Sequence, residues 1–335
     1  MRISVDAMGG DHGPGVVVDG AAWAASEFGI QVTLVGNRRI IEEMGGSHLA
    51  SELIDVHHCE EAVDMDESPL KAVRQKKEAS IRKAFDLART GEADAVVSAG
   101  NSGATLVAGV LTLGRLKGAE RPGIASILPG RHGPVVLIDV GGSVDCRPAH
   151  LLQFGVMAQA FAASCLDIPS PRVGLLSIGE EVGKGNEQVR HAYPLFERST
   201  LNFVGNVEGR DIFAGDVDVI VCDGFVGNVA LKLSEGMASA MTRMLKSALN
   251  KTLLGRMGAI LAERNFKDFK KSLEYEEYGG APLLGINGVG IVCHGGSSAR
   301  AIKNAIALAA SYVENGVLEK MASQLNTVEV KKATA

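Results

Sequence analysis

Aromatic residues are scarce. Phe, Trp and Tyr make up 4% of the 335 residues, with a single tryptophan, which leaves the core to Val, Ile, Leu and Ala. Cysteine is scarce as well. Cys59, Cys146, Cys165, Cys222 and Cys293 are far apart, odd in number and without metal-type pairing, as expected of buried reduced thiols in a cytosolic protein. Positive charge is in deficit, 34 Lys and Arg against 39 Asp and Glu, and a formal charge of −5 argues against general nucleic-acid binding. No run of about 18 apolar residues occurs, so no segment is expected to span a membrane. Met1 to Val5 reads directly as a strand, without the shape of a signal peptide.

Several chemical fingerprints are missing too. No Gly-x-x-x-x-Gly-Lys-Ser/Thr is present, which argues against a nucleoside triphosphate. No Gly-x-Gly-x-x-Gly follows the first strand, no Gly-x-Ser-x-Gly elbow occurs, and no cysteine sits in a nucleophile motif. His57-His58-Cys59 does not read as a metal cluster, because neighbours on a strand point to opposite faces.

What is present is a soluble, globular composition, 46% hydrophobic and 22% charged, with 41 glycines that imply many tight turns. The length allows one large α/β unit or two smaller ones. Residues 173–187 set the pattern. Val173 to Ile178 is an apolar run of strand length, Gly179, Gly183 and Gly185 punctuate a polar turn holding Glu180, Glu181 and Lys184, and Val189, Tyr193 and Phe196 are spaced as on a helix from Asn186. Backbone N–H groups and the helix dipole make such a junction an anion site. An ordinary connection with a solvated lysine would read the same way.

The same strand–corner–helix unit recurs at 6–11, 98–104, 139–145, 179–186, 223–228 and 294–298, with no fixed period between corners. Alternating strands and helices predict a three-layer α/β/α fold with a mainly parallel sheet, in which the corners, at the carboxyl ends of strands, gather in one cleft. A long helix is expected over Ala72–Ala88, a helical excursion over 229–272 with glycine breaks at Gly255 and Gly258, and a frayed tail over 326–335. The corners offer backbone N–H groups, short polar side chains and a few cations. That suits a small anion and developing negative charge, without a covalent enzyme intermediate. Asn101, Asn186 and Asn228 are candidate oxyanion donors, although asparagine also tolerates turn geometry in its own right. His12 and His294 are further candidates.

Six motifs stand in order: Asp6-Ala7-Met8-Gly9-Gly10-Asp11, Ser98-Ala99-Gly100-Asn101-Ser102-Gly103-Ala104, Ile178-Gly179-Glu180-Glu181 with Lys184-Gly185, Cys222-Asp223-Gly224-Phe225-Val226-Gly227-Asn228-Val229, Gly279-Gly280-Ala281-Pro282-Leu283-Leu284-Gly285 and His294-Gly295. Together they closely resemble the phosphate acyltransferase (PlsX) family over about residues 1–320. Four positions depart from the family's usual residues: Ser102 for threonine, Gly142-Ser143 for Ala-Asn, and a glycine for serine in His294-Gly295-Gly296-Ser297-Ser298.

The resemblance implies a phosphotransacetylase-like fold, similar also to isocitrate and isopropylmalate dehydrogenases, in one catalytic domain over 1–325. It implies attack of inorganic phosphate on a fatty acyl thioester of acyl carrier protein, giving acyl phosphate for phospholipid synthesis by way of a glycerol-3-phosphate acyltransferase. No cofactor or metal is implied. Lys184 is expected to neutralise phosphate, with Glu180 and Glu181 orienting it, and Asn228 to hold the carbonyl or phosphate. Gly9, Gly10, Asn101, Ser102, Gly103, Asn186, Gly227, His294 and Gly295 are expected to line the substrate pocket. A coenzyme A-dependent phosphotransacetylase, a dehydrogenase of similar fold and a non-catalytic anion-binding regulator are the competing readings. The family is typically a homodimer in the cytoplasm, peripherally attached to the membrane. Lys71, Arg74 and Lys77, at helical spacing, form a basic stripe that could steer an acidic carrier protein. Leu253, Leu254, Met257, Ile260 and Leu261 share one helical side within Thr252–Arg264. That side resembles an interfacial membrane helix, and subunit or core packing would give the same pattern.

Overall fold

The computed structural model describes residues 1–266 and 278–333. Eleven strands form one sheet in the order β3-β2-β1-β4-β11-β10-β5-β6-β9-β7-β8. They are β1 (Arg2–Asp6), β2 (Gln31–Gly36), β3 (Ile54–His58), β4 (Ala95–Ser98), β5 (Gly123–Gly130), β6 (Gly133–Ile138), β7 (Arg172–Leu176), β8 (Asn202–Val207), β9 (Val219–Val221), β10 (Ala281–Leu284) and β11 (Gly290–Val292). The helices are α1 (Pro14–Phe28), α2 (Arg38–Gly45), α3 (Pro69–Gln75), α4 (Ser80–Thr90), α5 (Ser102–Leu113), α6 (Pro148–Cys165), α7 (Glu187–Glu197), α8 (Gly224–Asn250), α9 (Leu253–Leu261), α10 (Ala299–Glu314) and α11 (Val317–Ala333).

The strands read as continuous apolar runs because helices cover both faces. Val219, Ile220 and Val221 are all fully buried. One core cluster joins the sheet to α1, α6, α7, α10 and α11 through Val18, Phe154, Phe161, Phe196 and Tyr312. The other joins it to α3, α4 and α5 through Val73, Phe85 and Leu106. Three layers therefore form, as expected.

Strand direction is the feature the local sequence did not carry. β3, β2, β1, β4 and β11 are parallel, as are β6, β9, β7 and β8. Between the sets, β11–β10, β10–β5 and β5–β6 are all antiparallel. Three reversals make the two sets run in opposite directions, so their carboxyl-end corners do not share one edge. β10 escaped sequence reading because it is four residues long, contains Pro282 and follows two glycines.

The expected helix over Ala72–Ala88 is two helices. Residues 76–79 leave the helix because Ala79 bridges Glu61 and the Lys76 ammonium bonds the Ala62 carbonyl (2.8 Å) and Glu67 (2.7 Å). Lys77 thus leaves the helical stripe of Lys71 and Arg74. The corner at 223–228 is instead the start of α8, since the Asp223 carboxylate caps the N–H groups of Phe225 and Val226. α8 ends at Asn250, while Gly255 and Gly258 lie inside α9, capped by Thr252. Residues 267–272 of the expected excursion lie outside the described residues. Of the tail expected to fray over 326–335, residues 326–333 are helical and continue α11, which buried Met321 and Leu325 anchor, and residues 334–335 lie outside the described residues.

Candidate active site

The antiparallel pair β5 and β10 forms the floor of a cleft of about 220 Å³, through Ile124, Ser126 and Ala281. One bank carries Ser102 and Gly103, from the first turn of α5, and His294. The other carries Val140 and Gly141, beyond β6, and Asn228, Leu231, Lys232 and Glu235 of α8. Corners from both strand sets therefore reach this cleft, despite their opposite directions. The floor is where the reversal occurs.

The α5 bank is fixed from below. Asp6 is buried at the end of β1, and its carboxylate accepts from the Ser98 hydroxyl (2.8 Å), whose oxygen in turn accepts from the Gly100 N–H (3.1 Å). Burial pushes the Asp6 pKa up, and hydrogen bonds to its carboxylate, the Ser98 hydroxyl and the Met8 N–H among them, oppose that. A Cβ on Gly9 would lie 2.6 Å from the Gly100 nitrogen, and Asp11 donates its N–H to the Gly295 carbonyl at 2.7 Å. Gly9, Gly10 and Gly295 thus knit three corners together beneath the bank without lining the cleft. The Asn101 amide is used for structure: its oxygen caps the Ala104 N–H, and its nitrogen donates to the carbonyls of Met65 and Glu67. What remains toward the cleft is the start of α5, with Ser102 exposed and the first-turn N–H groups unsatisfied within the helix. His12 and His294 both approach Gly296.

The α8 bank rests on Asp139. Its buried carboxylate accepts backbone N–H groups from Ile124 (2.9 Å), Gly141 (3.3 Å), Gly142 (3.0 Å) and Ser143 (2.5 Å). Burial raises its pKa and the four donors lower it. α8 presses onto this cradle at two glycines. A Cβ on Gly227 would stand 1.9 Å from the Asp139 carbonyl oxygen, and one on Gly224 2.7 Å from the carboxylate. Asn228 is thereby held against Gly141, whose Cβ would lie 3.8 Å from the amide oxygen. Sequence reasoning missed Lys232, which lies one turn after Asn228 on the same side and is paired with Glu235 at 2.8 Å. The i, i+4 spacing from Asn228 was the available signal.

A second hollow, of about 160 Å³, lies across α8 from the first. The corner after β7 forms one wall, from Ser177 and Ile178 to Gly185, Asn186 and Val189. Leu151, Cys222, Asp223 and Val226 complete it. Asn186 caps α7, accepting the Val189 N–H at 2.9 Å. Lys184 is exposed and lines neither hollow. Glu180 pairs with Arg210 at 3.0 Å, not with Lys184, and Glu181 receives the Lys184 N–H on its carbonyl. Cysteine chemistry is suppressed: burial pushes the Cys146 thiol up to about 11 and Cys222 well above its usual value.

A family model described as fatty acid synthesis protein matches residues 1–320. A phosphate acyltransferase of Geotalea daltonii is 53% identical over 326 residues, covering 97% of this chain and 94% of that protein. One of Geobacter sulfurreducens is 52% identical over 328 residues, covering 98% and 95%. Among solved structures, a phosphotransacetylase of Streptococcus pyogenes superposes with a TM-score of 0.64 at 18% identity, covering 94% of each chain. A branched-chain phosphotransacylase of Enterococcus faecalis does so with a TM-score of 0.58 at 16% identity, covering 93% and 99%. The likeness to these two structures is one of fold.

Proposed function

The chain belongs to the fatty acid synthesis protein family, the phosphate acyltransferases (PlsX), and from that premise we propose that its cleft brings inorganic phosphate to a fatty acyl thioester on acyl carrier protein. It is an acyltransferase. The observation that carries the reading is the juxtaposition of the α5 N-terminus and Asn228 across one cleft.

Phosphate sits at the N–H groups of Ser102 and Gly103, where the helix dipole favours an anion. One of its oxygens attacks the thioester carbonyl carbon. The electron pair of the C=O bond moves to oxygen, and the Asn228 amide donates to that oxyanion. Collapse of the intermediate expels the carrier thiolate and leaves acyl phosphate. Phosphate is already partly dianionic near neutral pH and a thiolate leaves readily, so positioning and charge stabilisation dominate over acid–base work. Lys184, exposed on the corner after β7 and outside the cleft, is the proposed cation for phosphate charge, with Lys232 the lysine that lines the cleft itself. Gly9, Gly10, Asn101, Gly227 and Gly295 hold the two banks, His294 closes one of them, and Asn186 shapes the second hollow. Residues 1–325 act as one catalytic unit.

The test is acyl-phosphate formation from acyl carrier protein and from coenzyme A thioesters. Turnover with the carrier donor supports the reading, preference for coenzyme A returns the phosphotransacetylase, and no turnover with either leaves only an anion-binding regulator. Lys184→Ala is expected to lower kcat/KM at least about tenfold, chiefly through phosphate, as loss of one charge-assisted contact implies. If Lys232→Ala takes that loss and Lys184→Ala does not, the cation is the one in the cleft.

Two apolar surfaces fit the remaining partners. α8 leaves Leu233, Met237, Met241 and Met244 exposed along one side, a stripe suited to a second copy of the chain. α9 has no buried residue: Leu253, Leu254, Met257, Ile260 and Leu261 are 53–87% exposed, so among the described residues this side is not packed into the core, which suits a membrane surface. Among the described residues no helix is long and apolar enough to cross a membrane, so attachment would be peripheral, in the cytoplasm, where a glycerol-3-phosphate acyltransferase consumes the product. Leu254→Glu with Leu261→Glu is expected to abolish sedimentation with anionic phospholipid vesicles while the dimer persists. Loss of the dimer with vesicle binding intact would assign α9 to the subunit contact.

A further inference from the structure

We propose that the second hollow is the subsite for the hydrocarbon chain of the acyl donor, a proposal that rests on the fatty acyl substrate inferred above. Its inner wall is buried hydrocarbon and thiol: Leu151, Leu176, Val189 and Cys222. Most of its polar groups face protein; the exception is the Ser177 hydroxyl, buried and without a partner. The Asn186 oxygen accepts from Val189, the Gln188 amide donates to the Cys146 carbonyl at 2.6 Å, and Asp223 caps α8. A hollow that offers so few hydrogen bonds favours an apolar ligand over phosphate or a nucleotide.

The rim has the same character. Ile178 is 82% exposed although it continues the apolar run of β7, and Val226 faces the hollow from α8. Solvent exposure of a large aliphatic side chain at the mouth of an apolar hollow is what a chain-shaped apolar ligand would cover. The route to the reacting carbon is also laid out. Val226 and Asn228 are two residues apart, hence about 200° apart around α8, so the hollow and the cleft lie on opposite sides of one helix. The exposed side chains of Phe225 and Val229 stand between them on the outer face. A thioester carbonyl at Asn228 can therefore direct its alkyl chain over this apolar saddle and into the hollow.

The test is the ratio of kcat/KM for palmitoyl and butyryl thioesters on the same carrier, at fixed phosphate, in the full chain. Val226→Trp fills the hollow from its rim. Ile178→Ser removes apolar rim at a largely exposed position, where folding is not at stake. Each is expected to lower the palmitoyl-to-butyryl ratio, Val226→Trp by about tenfold, as loss of contact with two or so methylenes implies. An unchanged ratio in both variants, or a shift confined to the KM for phosphate, overturns the subsite. If the wild-type chain forms acyl phosphate from neither donor, the proposed reaction itself fails, which separates the two outcomes.

Discussion

Asn228→Ala cuts acyl-phosphate formation by about two to three orders of magnitude, the loss expected for one oxyanion donor, while the protein remains folded. Three asparagines lie in comparable corners, and their environments separate them. Asn101 and Asn186 have their side-chain oxygens bound to the N–H groups of Ala104 and Val189. Replacing either removes a helix cap, which costs stability first and activity only through it. Asn228 lies inside α8, exposed, facing the cleft. Alanine there raises helix propensity and disturbs no buried contact. The loss should fall on kcat and kcat/KM alike if the amide acts on the tetrahedral oxyanion, and mainly on the KM for phosphate if it holds the ground-state anion. Asn228→Asp keeps the shape but can only accept when ionised, and it sets a negative charge against phosphate, so it should be no better than alanine. Near-wild-type turnover by folded Asn228→Ala would remove the residue from the reaction.

Much of the fold was legible because it is written in local pattern. Apolar runs of strand length, helix spacing and glycine-rich corners located β1, β7 and the recurring strand–corner–helix units, and with them the three-layer arrangement. Three features were not local. The opposite directions of the two strand sets depend on β10 and β5, and nothing within a short apolar segment states whether its neighbour runs with it or against it. The helix break at residues 76–79 comes from Glu61 and Glu67, which meet Ala79 and Lys76 only in the folded chain. The early start of α8 is the third. Asp223-Gly224-Phe225-Val226-Gly227 carries two residues that disfavour helix interiors and reads as a turn. Tertiary packing on Asp139 reverses that preference. The site was legible to the same degree. Residues whose role is backbone proximity, Gly9 and Gly227 among them, announced themselves as glycines. Asn101 and Asn186 looked like ligands because a cap and an oxyanion donor call on the same short amide. Lys232 was overlooked because it stands in the helix and not in a corner.

Gly227→Ala tests that packing, and it should act with the opposite sign to helix propensity. Inside an unstrained helix, glycine to alanine is stabilising by ~1 kcal/mol. At 227 the added methyl would occupy a point 1.9 Å from the Asp139 carbonyl oxygen and 2.9 Å from the Cys222 sulfur. The first contact is with backbone, pinned by four N–H bonds to the Asp139 carboxylate, so it cannot swing aside as a flexible side chain would. α8 must lift from the end of β6, and overpacking of this kind costs about 3 kcal/mol. The lift also carries Asn228 away from Gly141, so activity should fall with stability. Gly236 supplies the control in the same helix: a Cβ there meets nothing within 4 Å, and Gly236→Ala should raise the denaturation midpoint. Urea unfolding of both variants measures the difference directly. If Gly227→Ala is as stable as the wild type, α8 does not rest on Asp139 as described, and the placement of Asn228 in the cleft falls with it. If both variants are stabilised, propensity alone governs this helix and the glycines at 224 and 227 have no packing role.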